Sequence, residues 1–129
     1  AVLLPGKSAP KILTREHIAL MPNNSVFVDV AIDQGGCSET SRPTTHSEPT
    51  YIDENVIHYC VTNMPAVAAK TATLALEEIT FPYLEILIES DIEQLCRSNI
   101  NFRNGLNVFL DKLVNKPVAE SLNLEYSDL

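Results

Sequence analysis

Val28-Asp29-Val30-Ala31-Ile32-Asp33-Gln34-Gly35-Gly36-Cys37 is the stretch on which the reading of this chain turns. Val28, Val30, Ala31 and Ile32 are apolar and Asp29 is the one interruption, the composition of a strand buried on both faces. The run then meets an acid and paired glycines. In an open parallel sheet, ligands bind outside the carboxyl ends of the strands, so a strand ending at Ile32 delivers Asp33 to that crevice. Gly35 and Gly36 reach backbone angles closed to other residues and let another molecule approach the main chain. Taken alone, Asp-Gln-Gly-Gly is an ordinary turn. Asp29, inside the strand, reads as a hydrogen-bonded structural acid.

Working outward, residues 1–4 (Ala-Val-Leu-Leu) read as a buried strand that Pro5-Gly6 breaks. Thr14 is placed to cap a short helix over 15–21. With the strand over 25–32 this makes strand, helix, strand, which predicts a parallel pair joined by a crossover and hence an α/β sheet. Residues 33–50 form a polar loop rich in Ser, Thr, Pro and Gly, of a length that is uncommon unless functional. A third apolar strand covers 56–61. Asn63-Met64-Pro65 opens a helix to about residue 78, with Asn63 as N-cap and proline in the first turn. A further helix starts at Thr80 and Pro82. Ser90-Asp91-Ile92-Glu93 is a capping-box pattern that restarts the chain to about residue 98. Residues 105–114 suggest a small hairpin, 117–122 a last short helix, and 124–129 an acidic tail.

Bulk properties narrow the function classes. A hydrophobic fraction of 45% and a charged fraction of 20% describe a globular chain, not a disordered one. The formal charge of −8, without a Lys/Arg stripe, makes nucleic acid and anionic membrane poor partners. No apolar run reaches the length of a membrane-spanning helix. Cys37, Cys60 and Cys96 are odd in number and lack CxxC spacing, which argues against a disulfide framework and fits a reducing cytoplasm. His46 and His58 with Cys37 and Cys60 match no metal-ligand spacing, so no metal is predicted. His58 and Cys60 fall on one face of their strand and read as packing residues. The chain opens on an apolar run without an initiator Met and reads as a piece of something longer.

Four stretches in order carry a resemblance: Ala-Val-Leu-Leu-Pro-Gly-Lys-Ser-Ala-Pro (1–10), Val-Asp-Val-Ala-Ile-Asp-Gln-Gly-Gly-Cys (28–37), Arg-Pro-Thr-Thr-His (42–46) and His-Tyr-Cys-Val-Thr-Asn-Met-Pro (58–65). Together they resemble the C-terminal third of alanine dehydrogenase, within the alanine dehydrogenase and nicotinamide nucleotide transhydrogenase α-subunit family. The resemblance implies an α/β fold. Residues 1–66 would be the second half of a Rossmann-type NAD-binding domain with parallel strands. Residues 67–129 would be helices that return to the substrate domain. It implies reversible oxidative deamination of L-alanine to pyruvate and ammonium, with NAD as the hydride acceptor, in a cytoplasmic homo-hexamer.

On that resemblance Asp33 is the catalytic acid beside the nicotinamide, handling proton transfer and stabilising an iminium-like intermediate. Val30, Ala31 and Ile32 would line the nicotinamide side, and Val61, Thr62, Asn63 and Met64 would close over it from the second strand end. Val2 and Leu3 match the strand end that contacts the adenosine half, and Arg42 matches a cofactor-contacting arginine. After Pro65 the chain departs from the family pattern, with Ala66-Val67-Ala68-Ala69 where glycine and a second proline are usual. No GxGxxG fingerprint is present. The residues that would hold pyruvate in the family are absent too, so the chain alone is expected to be inactive. A transhydrogenase α-subunit needs no acid at Asp33, and the Asp-Gln-Gly-Gly wording favours the dehydrogenase. A non-catalytic α/β interaction module is the remaining alternative. A glycine-rich fingerprint upstream of Ala1 would separate enzyme from module.

Overall fold

The computed structural model describes residues 1–129, which form two compact units, Ala1–Val67 and Ala68–Leu129. In the first unit, Thr14 accepts from the His17 amide (3.3 Å) while His17 Nδ1 accepts from the Thr14 amide (3.2 Å). This reciprocal cap starts helix α1, Arg15–Ala19, at the predicted position. The chain then enters strand β1, Val26–Val28. Strands β2 (Thr50–Asp53) and β3 (Val56–Tyr59) follow as a hairpin. The sheet order is β1-β3-β2, with β1 and β3 parallel and β2 antiparallel to β3. The expected α/β class with parallel strands is therefore observed.

Several elements differ from the sequence reading, each for a physical reason. Residues 1–4 form no strand, and Leu3 and Leu4 are exposed. The strand over 25–32 stops at Val28, and Val30–Gln34 is a 3-10 helix. Asp29 is responsible, because its side chain accepts from the Ala31 amide and turns the main chain out of the ladder. Nor is β1 buried on both faces. It is an edge strand that exposes Val26 and Val28 and turns Phe27 against His58. β2, for which no strand was predicted, follows the predicted long loop and shares only Thr50 with it. Its turn places Glu54 (φ +49) and Asn55 (φ +59) in the left-handed region, as a two-residue hairpin turn demands.

Two groups of buried side chains make up the core of this unit. Ala9, Ala31 and Cys37 cluster with the half-buried Val2 and Phe27. Val56, Cys60, Val61 and His58 are fully buried. His58 Nδ1 lies 2.9 Å from the Val56 carbonyl, which only accepts, so Nδ1 carries the hydrogen. In the neutral ring Nε2 then accepts from Thr40 Oγ1 (2.8 Å), and Thr40 Oγ1 accepts in turn from Ser38 (2.9 Å). Tyr51 stacks on the same ring, with centroids 4.9 Å apart. His58 is thus the packing residue expected, and it fastens the 38–40 segment to the sheet.

In the second unit, α2 runs unbroken from Ala69 to Glu89, where two helices were expected. Pro82 lies inside it and removes one backbone hydrogen bond. No residue of α2 is buried, so water can satisfy the carbonyl that Pro82 frees. Asp91, not Ser90, caps α3 (Ile92–Ser98) by accepting from the Gln94 amide at 2.9 Å. α4 (Ile100–Gly105) follows, then the predicted hairpin of β4 (Val108–Phe109) and β5 (Lys112–Leu113), and finally α5 (Lys116–Leu122). No helix is long and apolar enough to cross a membrane.

Candidate functional site

The site is built on Asp29, which is fully buried. One carboxylate oxygen, Oδ1, accepts from the Ala31 amide (3.0 Å) and the Cys37 thiol (3.3 Å). The other, Oδ2, accepts from the Cys37 amide (2.7 Å) and the Ser41 hydroxyl (2.5 Å). Burial pushes this carboxyl upward, but the Ser41 and Cys37 donors outweigh it and hold Asp29 below the usual carboxylate range. Burial and the neighbouring Asp29 both push the Cys37 thiol up, so it is a packing group and not a nucleophile. The structural role read for Asp29 is the one observed.

The acid closes residues 29–41 into a tight loop, and the loop explains one glycine. A Cβ on Gly36 (φ +76) would lie 2.6 Å from Ser41 Cβ and 3.0 Å from Asp29 Oδ2. Gly36 is therefore small because the protein itself fills the space. Gly35 (φ +96) is the opposite case, with nothing within 4 Å of its Cβ position, so its Cα is uncovered although its amide donates to the Ile32 carbonyl at 2.9 Å. Lys11 ties down the pair by donating from Nζ to the carbonyls of Gly35 and Gly36.

Asp33 sits on the 3-10 helix after β1, and its side chain is exposed. Its Oδ1 accepts from the Asn63 amide at 3.4 Å, and its Oδ2 has no protein partner. Asn63 lies beyond the end of β3 with φ +50. It is not the N-cap expected, because it adopts the left-handed conformation and the chain continues as a 3-10 helix, Met64–Ala68. The Asn63 carbonyl in turn accepts from His46 Nε2 at 3.0 Å. The ends of the two parallel strands are thereby joined at Asp33 and Asn63, the two positions singled out in the sequence.

The remaining candidates divide by exposure. Val30 and Asn63 are exposed, and Thr62 and Met64 are half-buried. Ala31, Ile32 and Val61 are buried, so their side chains pack inward and only their main chain can face a ligand. Arg42 places its guanidinium 3.9 Å from the centre of the Tyr51 ring, and no hydrogen bond or ion pair joins it to Asp33. Burial and the neighbouring Cys60 push the Tyr51 phenol up, so the ring stays neutral under the cation. Val2 packs on the Ala9, Ala31 and Cys37 cluster, while Leu3 is exposed. Lys11 and His46 were missed as site residues. Both act on backbone carbonyls, a kind of partner that leaves no residue signature.

Comparison with known proteins bears on this arrangement. The family model described as "Alanine dehydrogenase/PNT, C-terminal domain" matches residues 1–116. The chain belongs to this family. An alanine dehydrogenase of Halomonas elongata is 50% identical over 126 residues, covering 98% of this chain and 34% of the relative. One from Mycolicibacterium smegmatis is 44% identical, covering 99% and 34%. Among solved structures, an L-alanine dehydrogenase superposes with a TM-score of 0.73 at 40% identity, over 95% of this chain and 34% of that one. A transhydrogenase from Sinorhizobium meliloti gives a TM-score of 0.59 at 28% identity, over 69% and 26%. The chain spans about a third of the length of the curated relatives it matches. Within the alanine dehydrogenase/PNT family, the likeness to the dehydrogenase structure is the more extensive of these two, in both coverage and identity.

Proposed function

We propose that these residues serve as the C-terminal part of an NAD-dependent L-alanine dehydrogenase, with Asp33 as its acid. The observation that carries the reading is the state of the Asp33 carboxylate. It is exposed at the carboxyl end of a parallel pair, anchored through Oδ1 to the Asn63 amide and unengaged at Oδ2. An oxygen with no protein partner can take or return a proton at the substrate without breaking the fold.

The residues present fit a nicotinamide. A planar ring needs an apolar wall, a polar edge and close access to main chain. Exposed Val30, the Asp33 carboxylate and the uncovered Cα of Gly35 would supply these in one stretch. NAD, when bound, would accept the hydride. The chain's own part is to orient and to handle the proton at Asp33. Ala31 and Ile32 would support the cofactor from below through their packing. Val61, Thr62, Asn63 and Met64 would flank it from the second strand end. Val2, Leu3 and Arg42 would serve the adenosine half and its loop.

The reading extends to organisation. Residues 1–66 would belong to the NAD-binding domain and 67–129 to the substrate domain. The assembly would be a homo-hexamer in the cytoplasm. L-alanine and pyruvate would be its substrates. The test is alanine-dependent formation of NADH by the complete polypeptide that carries these residues. Asp33→Asn should lower turnover by about 10²–10⁴-fold while NAD affinity stays within a few-fold. Full turnover in that variant would refute the role given to Asp33.

A further inference from the structure

We propose that His46 is a positioning residue for Asp33, acting through the main chain of Asn63. The proposal deepens the reading of Asp33 as the acid and rests on it. Asn63 is held at both of its polar ends, with its amide on Asp33 Oδ1 at 3.4 Å and its carbonyl on His46 Nε2 at 3.0 Å. A carbonyl only accepts, so Nε2 of His46 must carry a hydrogen in this arrangement. The ring therefore acts as a fixed donor.

The donor stands on a rigid base. Thr44 bridges to Val61 in parallel, its amide donating to the Cys60 carbonyl (2.9 Å) and its carbonyl accepting from the Thr62 amide (3.2 Å). The Thr44 hydroxyl closes the loop on the Pro49 carbonyl at 3.0 Å. Thr45 and Ser47, on either side of His46, bond to each other at 2.9 Å. The imidazole is thus delivered two residues beyond a paired strand position, against a residue that needs holding. Asn63 has φ +50, and its carbonyl also accepts from the Ala66 amide at 3.0 Å, a bond inside its own turn. His46 is the donor from outside that turn, so without it the turn can shift as a unit and carry the Asn63 amide away from Asp33. The carboxylate then loses its one protein partner and spreads over rotamers. A displaced catalytic group is felt in turnover more than in binding.

The test compares His46→Ala with His46→Gln in the complete polypeptide. The Gln side chain keeps an Nε2 donor able to reach the same carbonyl. His46→Ala should lose about tenfold in kcat, with KM for NAD within about twofold and the thermal midpoint unchanged. His46→Gln should recover most of that kcat. An unchanged kcat in His46→Ala, or equal losses in both variants, would overturn the proposal. A second readout does not depend on turnover. With isotope-labelled asparagine, Asp33→Asn should move the Asn63 amide resonance in the His46 background and not in His46→Ala. An equal response in both backgrounds counts against the clamp. If the complete polypeptide shows no alanine-dependent NADH formation, the dehydrogenase reading fails, and the resonance still decides whether His46 holds Asn63 against Asp33.

Discussion

Gly36→Ala and Gly35→Ala differ by one position and should differ sharply in cost. Both glycines have positive φ, +76 and +96, so each alanine suffers a left-handed penalty of roughly 1–2 kcal/mol. Each also gains about 0.4–1 kcal/mol from a less flexible unfolded chain. The penalty outweighs the gain over most of these ranges, which leaves Gly35→Ala destabilised by about 0–1.6 kcal/mol. Only Gly36→Ala meets the protein, with its Cβ 2.6 Å from Ser41 Cβ and 3.0 Å from Asp29 Oδ2. Forcing an extra carbon into a filled site costs about 1–3 kcal/mol more. Gly36→Ala should therefore lie roughly 1–3 kcal/mol below Gly35→Ala. Urea midpoints followed by far-UV circular dichroism measure the difference, and the absence of tryptophan leaves no stronger fluorescence probe in these residues. Ser41→Gly removes the nearest obstructing atom, so it should recover part of the loss in the Gly36→Ala background but none in Gly35→Ala. Equal midpoints for the two alanine variants, or no recovery, would refute the idea that Asp29 and Ser41 close on the Gly36 backbone.

Two further outcomes follow from the same loop. Asp29 has a folded-state pKa lowered below its ordinary value, so it contributes stability above the ordinary carboxylate range and loses it as pH falls through the lowered value. Below about pH 4 the unfolded chain takes up the proton first, and the urea midpoint of the native chain should fall more steeply there than that of Asp29→Asn. Thr40→Val strips the donor from buried His58 Nε2 and the acceptor from Ser38, and should cost about 1–3 kcal/mol in the same unfolding measurement.

Much of this was legible because some signals are local. The Thr14 cap and the 108–113 hairpin depend on residues a few positions apart, and Asp29 stood out as the one acid in an apolar run, although its partners Cys37 and Ser41 lie 8 and 12 residues on. The strand over 25–32 failed because apolar composition does not reveal that a neighbouring acid will cap a 3-10 turn. β2 failed because its turn uses Glu54-Asn55, without the glycine that marks most two-residue hairpins. The break expected before Pro82 failed because an exposed helix can carry the lost hydrogen bond in water. In the candidate site, Asp33 and Asn63 were singled out through the resemblance, while the N-cap pattern read at Asn63 did not hold. Lys11 and His46 were not, since each reaches a carbonyl at least 17 residues away, which no spacing rule encodes.

On the proposed reading, one stretch divides two jobs between the identical side chains of Asp29 and Asp33. Asp29 spends both oxygens on four donors, from Ala31, Cys37 and Ser41, and lies out of reach of solvent. A carboxylate so satisfied cannot accept a proton without releasing the loop it holds. Asp33, four residues on, keeps one oxygen on a long bond and leaves the other unengaged. Its unengaged oxygen can meet another molecule while the backbone beneath it stays fixed. The rigidity that one acid provides is what lets the other remain available, so a substitution at Asp29 should impair function through geometry, and one at Asp33 through chemistry with the fold intact.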